Sequence, residues 1–182
     1  MTARRPSFTE RRERRAAVED PSVVLEAALR FLEARPRSVA EVRRRLTTAG
    51  YRPDLVEGAV DRLIDLHVLD DVSFATVWVE SRDRAHPRGE IALRRELALK
   101  GIDRTVVDRV LGERRDGQED SADLERARRL LERQRRTLAR EPDPRRRRAR
   151  AYALLARNGF DPETASRLSR EAATVEEDQL TE

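Results

Sequence analysis

The 182-residue chain has no cysteine, so it can build neither a disulfide framework nor a thiolate metal site. Its two histidines, His67 and His86, stand at no metal-ligand spacing with a partner. Aromatic residues make up only 4%, so the core must come from Leu, Val, Ile and Ala, a set better suited to helices than to sandwiches. No Gly-rich phosphate loop and no nucleophile elbow is present, and neither an enzyme nor a cofactor is expected. The longest uncharged run, VSFATVWV at 72–79, is far short of the ~18 residues that span a bilayer. The opening MTARRPSFTERRERR lacks the apolar stretch of a secretory signal. A soluble cytoplasmic protein with no membrane partner is expected. Lysine is almost missing too: Lys100 is the sole one, and the other basic residues are arginines.

Charge, by contrast, is abundant. Charged residues reach 41% against about 25% in an ordinary domain, although the net charge is only +4. That excess favours a shape with much surface per residue. A short join is also written three times, as LTTAGYRPDLV, LALKGIDRTVV and LLARNGFDPETA. Leu46, Leu97 and Leu155 stand four residues before Gly50, Gly101 and Gly159, and Tyr51, Ile102 and Phe160 follow the glycines. A glycine just past a helix end takes the left-handed conformation without a Cβ penalty, and the next apolar residue packs back on the last turn. Asp103 and Asp161 then suit the N-cap of the next helix, and Pro53 and Pro162 its first turn. Arg52 is a poor cap.

Helical periodicity surrounds each join. Leu25, Ala28, Leu29 and Leu32 form one stripe, and SVAE at 38–41 reads as a capping box before Val39, Val42 and Leu46. Val56, Ala59, Val60, Leu63 and Ile64 form the next. VSFATVWV has no second strand to pair with, so it reads as a helix with Phe74, Val77 and Trp78 inward. Ile91, Leu93 and Leu97, then Val106, Val107, Val110 and Leu111, complete a middle set; Leu124, Ala127, Leu131 and Leu138, then Ala151, Leu154 and Leu155, then Ala165 and Leu168 mark a last one. The expected fold is all-α: three tandem three-helix repeats resembling helix-turn-helix units, in an elongated, curved array. The expected divisions are a disordered Arg-rich arm at 1–20, repeats at 21–70 and 71–112, a linker at 113–122, a third repeat at 123–171 and a disordered acidic tail at 172–182.

The middle repeat carries a resemblance. Asp70-Asp71, Phe74-Ala75, Val79, Arg82, Pro87, Gly89, Glu96-Leu97 and Lys100-Gly101-Ile102 resemble the central signature of the RecX family of recombinase regulators. The three-repeat organisation is similar over roughly 22–171. The resemblance implies a protein of DNA repair, homologous recombination and the SOS response. It implies a monomer that binds the RecA recombinase, alone or as a filament on single-stranded DNA, and inhibits strand exchange and ATP hydrolysis. The inhibitory step it implies is groove binding or a block to filament extension; weak non-specific DNA binding is compatible with it.

Arginines cluster on the second helix of each repeat: Arg43, Arg44 and Arg45, then Arg94 and Arg95, then Arg145, Arg146, Arg147, Arg148 and Arg150. With Arg82, Arg88 and Lys100 they are the candidates for a continuous basic track that meets phosphates or an acidic protein surface. Arg88, Arg94, Arg95 and Lys100 are expected to face solvent. The rival reading is a helix-turn-helix transcription regulator. Against it, the helix after Pro53 carries Asp54, Glu57, Asp61 and Asp65, which would repel a duplex backbone. Asp70 and Asp71 read as caps of the next helix rather than as a catalytic pair.

Overall fold

The computed structural model describes residues 7–116 and 121–174. Among them the chain forms helices α1 Phe8–Ala16, α2 Pro21–Glu33, α3 Val39–Ala49, α4 Pro53–Asp65, α5 Asp71–Ala85 and α6 Glu90–Leu99, followed by α7 Arg104–Asp116, α8 Ser121–Arg133, α9 Arg135–Ala139, α10 Pro144–Arg157 and α11 Pro162–Thr174. No strand occurs among the described residues. Three successive helical sets result: α2–α4, α5–α7 and α8–α11. The backbone divides into two compact units, one of residues up to 74 with 99–103, the other of 75–98 with those from 104 on. Helices α5 and α6 each contribute to both.

In the first unit, local signals set the helix starts. Asp20 accepts the Ser22 amide at 2.8 Å ahead of Pro21, and the Ser38–Glu41 capping box opens α3. Arg52 provides no side-chain cap, and α4 starts on Pro53 alone. The apolar stripes of the three helices meet in a core of Val24, Ala28, Val42, Leu46, Val56, Val60 and Leu63, closed below by Leu69. Full burial of each of these valine and leucine side chains contributes about 1.5–3 kcal/mol. In the second unit, Leu93, Leu97, Val107, Val110 and Leu111 are buried in the middle repeat. The third repeat buries Ala127, Leu130, Leu155, Phe160, Ala165 and Leu168 together. Charged residues fasten this unit as well: Arg114 and Arg126 both grip the Asp83 carboxylate, at 2.9 and 3.1 Å, with each guanidinium nearly buried. Arg133 donates to the backbone oxygens of Arg84 and Ala85, neutralising the exposed carbonyl end of α5.

All three joins adopt the left-handed turn, with φ of 102° at Gly50, 75° at Gly101 and 79° at Gly159. Each has a neighbour as well as a turn. Within the first unit, Ser38 Oγ donates to the Lys100 backbone oxygen at 2.6 Å, and a Cβ on Gly101 would collide with the Ala40 methyl. Within the second, the Gly89 and Ile91 amides donate to the Asn158 and Gly159 oxygens at 3.0 and 3.2 Å, and a Cβ on Gly159 would collide with Ala92. The end of one second helix is thus seated on the start of the preceding one.

Several expectations are corrected. The arm at 1–20 holds a helix, α1, opened by a Ser7–Glu10 capping box. Residues 113–116 of the expected linker continue α7, and 172–174 of the expected tail continue α11; 1–6, 117–120 and 175–182 lie outside the described residues. Val77 and Ile91 are 49% and 59% exposed: with neighbours on fewer sides, α5 and α6 bury a narrower stripe than their apolar residues offer. The first helix of the third repeat stops at Gln134, whose amide is shared between the Leu130 and Leu131 oxygens, and α9 carries Leu138 separately.

The Gly101 geometry yields a direct test. Gly101→Val combines a β-branched residue at positive φ with a collision at Ala40, and should cost about 2–4 kcal/mol in urea denaturation. An unchanged midpoint would show that the turn tolerates a side chain.

Candidate basic interface

The arginines of the second helices divide into those tied to carboxylates and those left to solvent. Arg43 stands seven residues before Gly50 and clasps Glu57, seven after it, through Nε at 2.8 Å and NH2 at 2.8 Å. Arg94 and Asp108 hold the same two places around Gly101 and form the same pair, with Glu90 adding a second carboxylate at 2.8 Å. The second helix is therefore laced to the third at matching positions in two repeats. Around Gly159 those places are Tyr152 and Ser166, and the pair is absent. Glu57 and Asp108 are held below the ordinary carboxylate range, chiefly by the hydrogen bonds from these arginines.

Arg82 and Arg88 converge on one carboxylate. Glu96 accepts Arg82 Nε at 2.7 Å and the Trp78 indole N–H at 2.9 Å, while Arg82 lies over the Trp78 ring, 4.4 Å from its centroid. Arg88 approaches Glu96 at 3.5 Å and donates to the Asn158 amide oxygen at 2.6 Å. Lys100 is also drawn inward: its Nζ meets Glu41 at 2.9 Å, with the two side chains 22% and 14% exposed. Burial alone would raise the Glu41 pKa. Hydrogen bonds from Lys100 and the Ser38 amide, with the Lys100 and Arg35 charges, outweigh it and leave the pKa lowered. Of the four residues expected to face solvent, Arg88, Arg94 and Lys100 are thus engaged in the fold; only Arg95 is exposed as expected.

The arginine run opening α10 divides in the same way. Arg147 is 6% exposed and donates to the Glu141 and Pro142 oxygens, and Arg150 reaches the Glu141 carboxylate at 2.7 Å, so both brace the turn before α10. Arg146 lies 3.6 Å from Asp143. Arg145 and Arg148 are exposed, share one helical face with the exposed Tyr152, and pair with no carboxylate among the described residues. Arg44 and Arg95, each six residues before a join glycine, are exposed in the same unpaired state. These four side chains keep their charge available to an outside anion, and Tyr152 adds an aromatic face beside Arg145 and Arg148. The pairing partners were missed in the sequence; the recurring fourteen-residue spacing from Arg43 to Glu57 and from Arg94 to Asp108 was the signal that could have found them.

The paired acids divide their work. Asp70 caps its own helix, accepting the Val72 amide at 2.8 Å and the Ser73 hydroxyl at 2.7 Å. Asp71 reaches across to the Val39 amide at 2.9 Å and so caps α3. Desolvation pushes the Asp71 pKa up, against the pull of that amide. Helix α4 exposes Asp54, Glu57, Asp61 and Asp65. Among the described residues no cluster of three or more His, Asp or Glu could hold a metal ion, and no helix is long and apolar enough to cross a membrane.

The three repeats coincide with three family models, which describe the first, second and third three-helix domains of RecX and match residues 25–63, 70–111 and 121–168. The chain belongs to the RecX family of regulatory proteins. The Regulatory protein RecX of Mycobacterium avium (strain 104) is 37% identical over 138 residues, 75% of this chain and 77% of that protein. That of Mycobacterium tuberculosis (strain ATCC 25618 / H37Rv) is 35% identical over 161 residues, 85% of this chain and 83% of the relative. Among solved structures, the RecX of Lactobacillus salivarius superposes with a TM-score of 0.72 at 22% identity, covering 85% of this chain and 97% of its own. A second RecX crystal structure gives 0.69 at 20%, covering 90% of this chain and 78% of its own. At those identities the structural likeness speaks for the fold.

The Lys100–Glu41 pair has a pH signature. A carboxylate whose folded pKa is lowered stabilises fully above its unfolded value and loses that contribution as the pH falls through the folded one. Lys100→Met should cost about 1–3 kcal/mol at neutral pH. The gap to the parent should narrow below a pH of about 4, where Glu41 takes up its proton in the unfolded chain and then in the fold. A penalty independent of pH would remove Glu41 as the partner that matters.

Proposed function

We propose that this protein binds the RecA recombinase, free and in its filament on single-stranded DNA, and restrains strand exchange and ATP hydrolysis. Family membership over three domains supports the partner. The observation that carries the mode of binding is the recurrence of an exposed, unpaired arginine at the same place, Arg44 and Arg95, in two successive repeats. A repeating anionic or protomeric partner can be met by such a repeat, each modest contact multiplied by the next. Arg145 and Arg148 extend the same supply of free charge in the third repeat. Non-specific contact with phosphates accompanies this binding, without base readout.

The protein acts by occupation, in the cytoplasm, with neither cofactor nor catalysis of its own. Its two histidines are exposed and apart from any carboxylate cluster among the described residues. Transcriptional regulation is disfavoured by the acidic surface of α4, the helix that would enter a major groove. Groove binding along the filament fits the repeated arginines better than a contact confined to the filament end, which would need only one repeat.

The test is the double variant Arg44→Ala, Arg95→Ala, compared with Asp54→Ala, Asp61→Ala. Both arginines are exposed and unpaired among the described residues, so circular dichroism should be unchanged. Filament binding and inhibition of RecA-dependent ATP hydrolysis should weaken, and where phosphates are the contact the salt slope should fall by about 1 for each arginine. The acidic-helix variant should still inhibit. Full inhibition by the arginine variant would move the working surface elsewhere.

A further inference from the structure

Helix α1 precedes the first matched RecX domain, which begins at residue 25. Apart from the exposed Phe8 it is mostly polar, buries no residue fully and spans nine residues, too few to hold a helix in water by itself. Something must dock it. Its contacts are with the first join. Arg15 NH1 donates to the backbone oxygen of Ala49, the residue before Gly50, at 3.4 Å, and its guanidinium lies 5.7 Å from the Tyr51 ring centroid. A Cβ on Gly50 would collide with the Arg12 side chain and come within 3.0 and 3.1 Å of the Arg12 carbonyl oxygen and Cα. Val18, just beyond α1, packs on the first core.

These contacts repeat the other two joins feature by feature. At Lys100–Gly101 and at Asn158–Gly159, the carbonyl before the glycine accepts a hydrogen bond from an earlier element. In both, that element also fills the space where the glycine would carry a Cβ, with Ala40 in one case and Ala92 in the other. There the earlier element is the start of the preceding repeat's second helix. At the Gly50 join α1 stands in that place, supplying the donor through Arg15 and the filling atoms through Arg12.

We propose that α1 is a terminal cap of the repeat array: it occupies, within its own chain, the seat that a preceding repeat would take on the Gly50 join. Terminal repeats need such a closure because their outer face has no neighbour to complete it. The residues of α1 that matter are then Arg15, half-buried against the join, and Arg12, whose Cγ, Cα and carbonyl oxygen face Gly50 although its side chain is otherwise exposed like those of Arg11 and Arg14. The seat it covers is a surface shaped for an incoming helix, closed by the chain itself.

The full-length chain allows a direct test. Glu13→Pro interrupts α1 and drives the Arg12 backbone out of the helical region while keeping both the Arg12 and Arg15 side chains in the chain. Gly50→Ala is introduced in the parent and in the Glu13→Pro background, and Gly159→Ala in both as a control from the other unit. If α1 is seated as a cap, Gly50→Ala lowers the melting temperature more in the parent than in Glu13→Pro, because part of its cost is the collision with Arg12. The positive-φ part remains in both. Gly159→Ala should cost the same in both backgrounds. Hydrogen exchange of the Gly50 and Tyr51 amides should also quicken in Glu13→Pro, while that of Gly159 and Phe160 should not. Equal Gly50→Ala shifts in the two backgrounds, or unchanged exchange at Gly50 and Tyr51, would overturn the proposal and leave α1 an appended helix.

Discussion

When a helix turns at a glycine of positive φ, its last carbonyls point beyond the helix end and need donors. Here those donors come from the beginning of another element. Ser38 Oγ serves Lys100, and the Gly89 and Ile91 amides serve Asn158 and Gly159. Because a Cβ at Gly101 or Gly159 would strike Ala40 or Ala92, the approach is possible only with glycine on one side and a small residue on the other. Turn chemistry and repeat stacking are thus one constraint. The capping box of Ser38 extends it, since that hydroxyl accepts the Glu41 amide while donating to Lys100.

Electrostatics follows from this arrangement. A chain with 41% charged residues and little aromatic surface makes its ions do structural work. Arg114, Arg126 and Asp83 are drawn out of water together, and pairing is what makes that burial tolerable. Exposed pairs such as Arg43–Glu57 add little energy but orient the second helix against the third. The consequence for function is subtraction: an arginine committed to a carboxylate inside the fold is less available to a phosphate outside it. A basic surface is better measured by its unpaired arginines than by its arginine count.

The three glycine turns, the capping box at Ser38 and the N-cap at Asp161 were legible because each depends on residues within a few positions of one another. The all-helical repeat followed from them. Val77 and Ile91 were misread because periodicity shows which residues share a face, not how much of that face finds a neighbour. Arg88, Arg94, Lys100 and Arg147 were misread for a related reason. Their partners are a neighbouring turn's carbonyls or a carboxylate on another helix, and only the crossing of the helices brings these near. Helix α1 was hidden by its polarity: two arginines seat it, and its one large apolar residue, Phe8, is exposed and marks no buried side. Arg95 keeps the exposure read from the sequence, and Arg44, Arg145 and Arg148 are exposed as well; their binding role rests on the functional proposal.

Trp78 is the only tryptophan in the chain, and its indole N–H is tied to Glu96 while Arg82 covers its ring. A cation over the ring and a carboxylate on its nitrogen both bear on the energy of an excited indole. The middle repeat therefore carries a built-in optical reporter, whose carboxylate partner Glu96 is the residue next to Arg95. A partner that draws on Arg82 or Glu96 alters its emission without any added label, and the other two repeats, lacking tryptophan, contribute no competing signal.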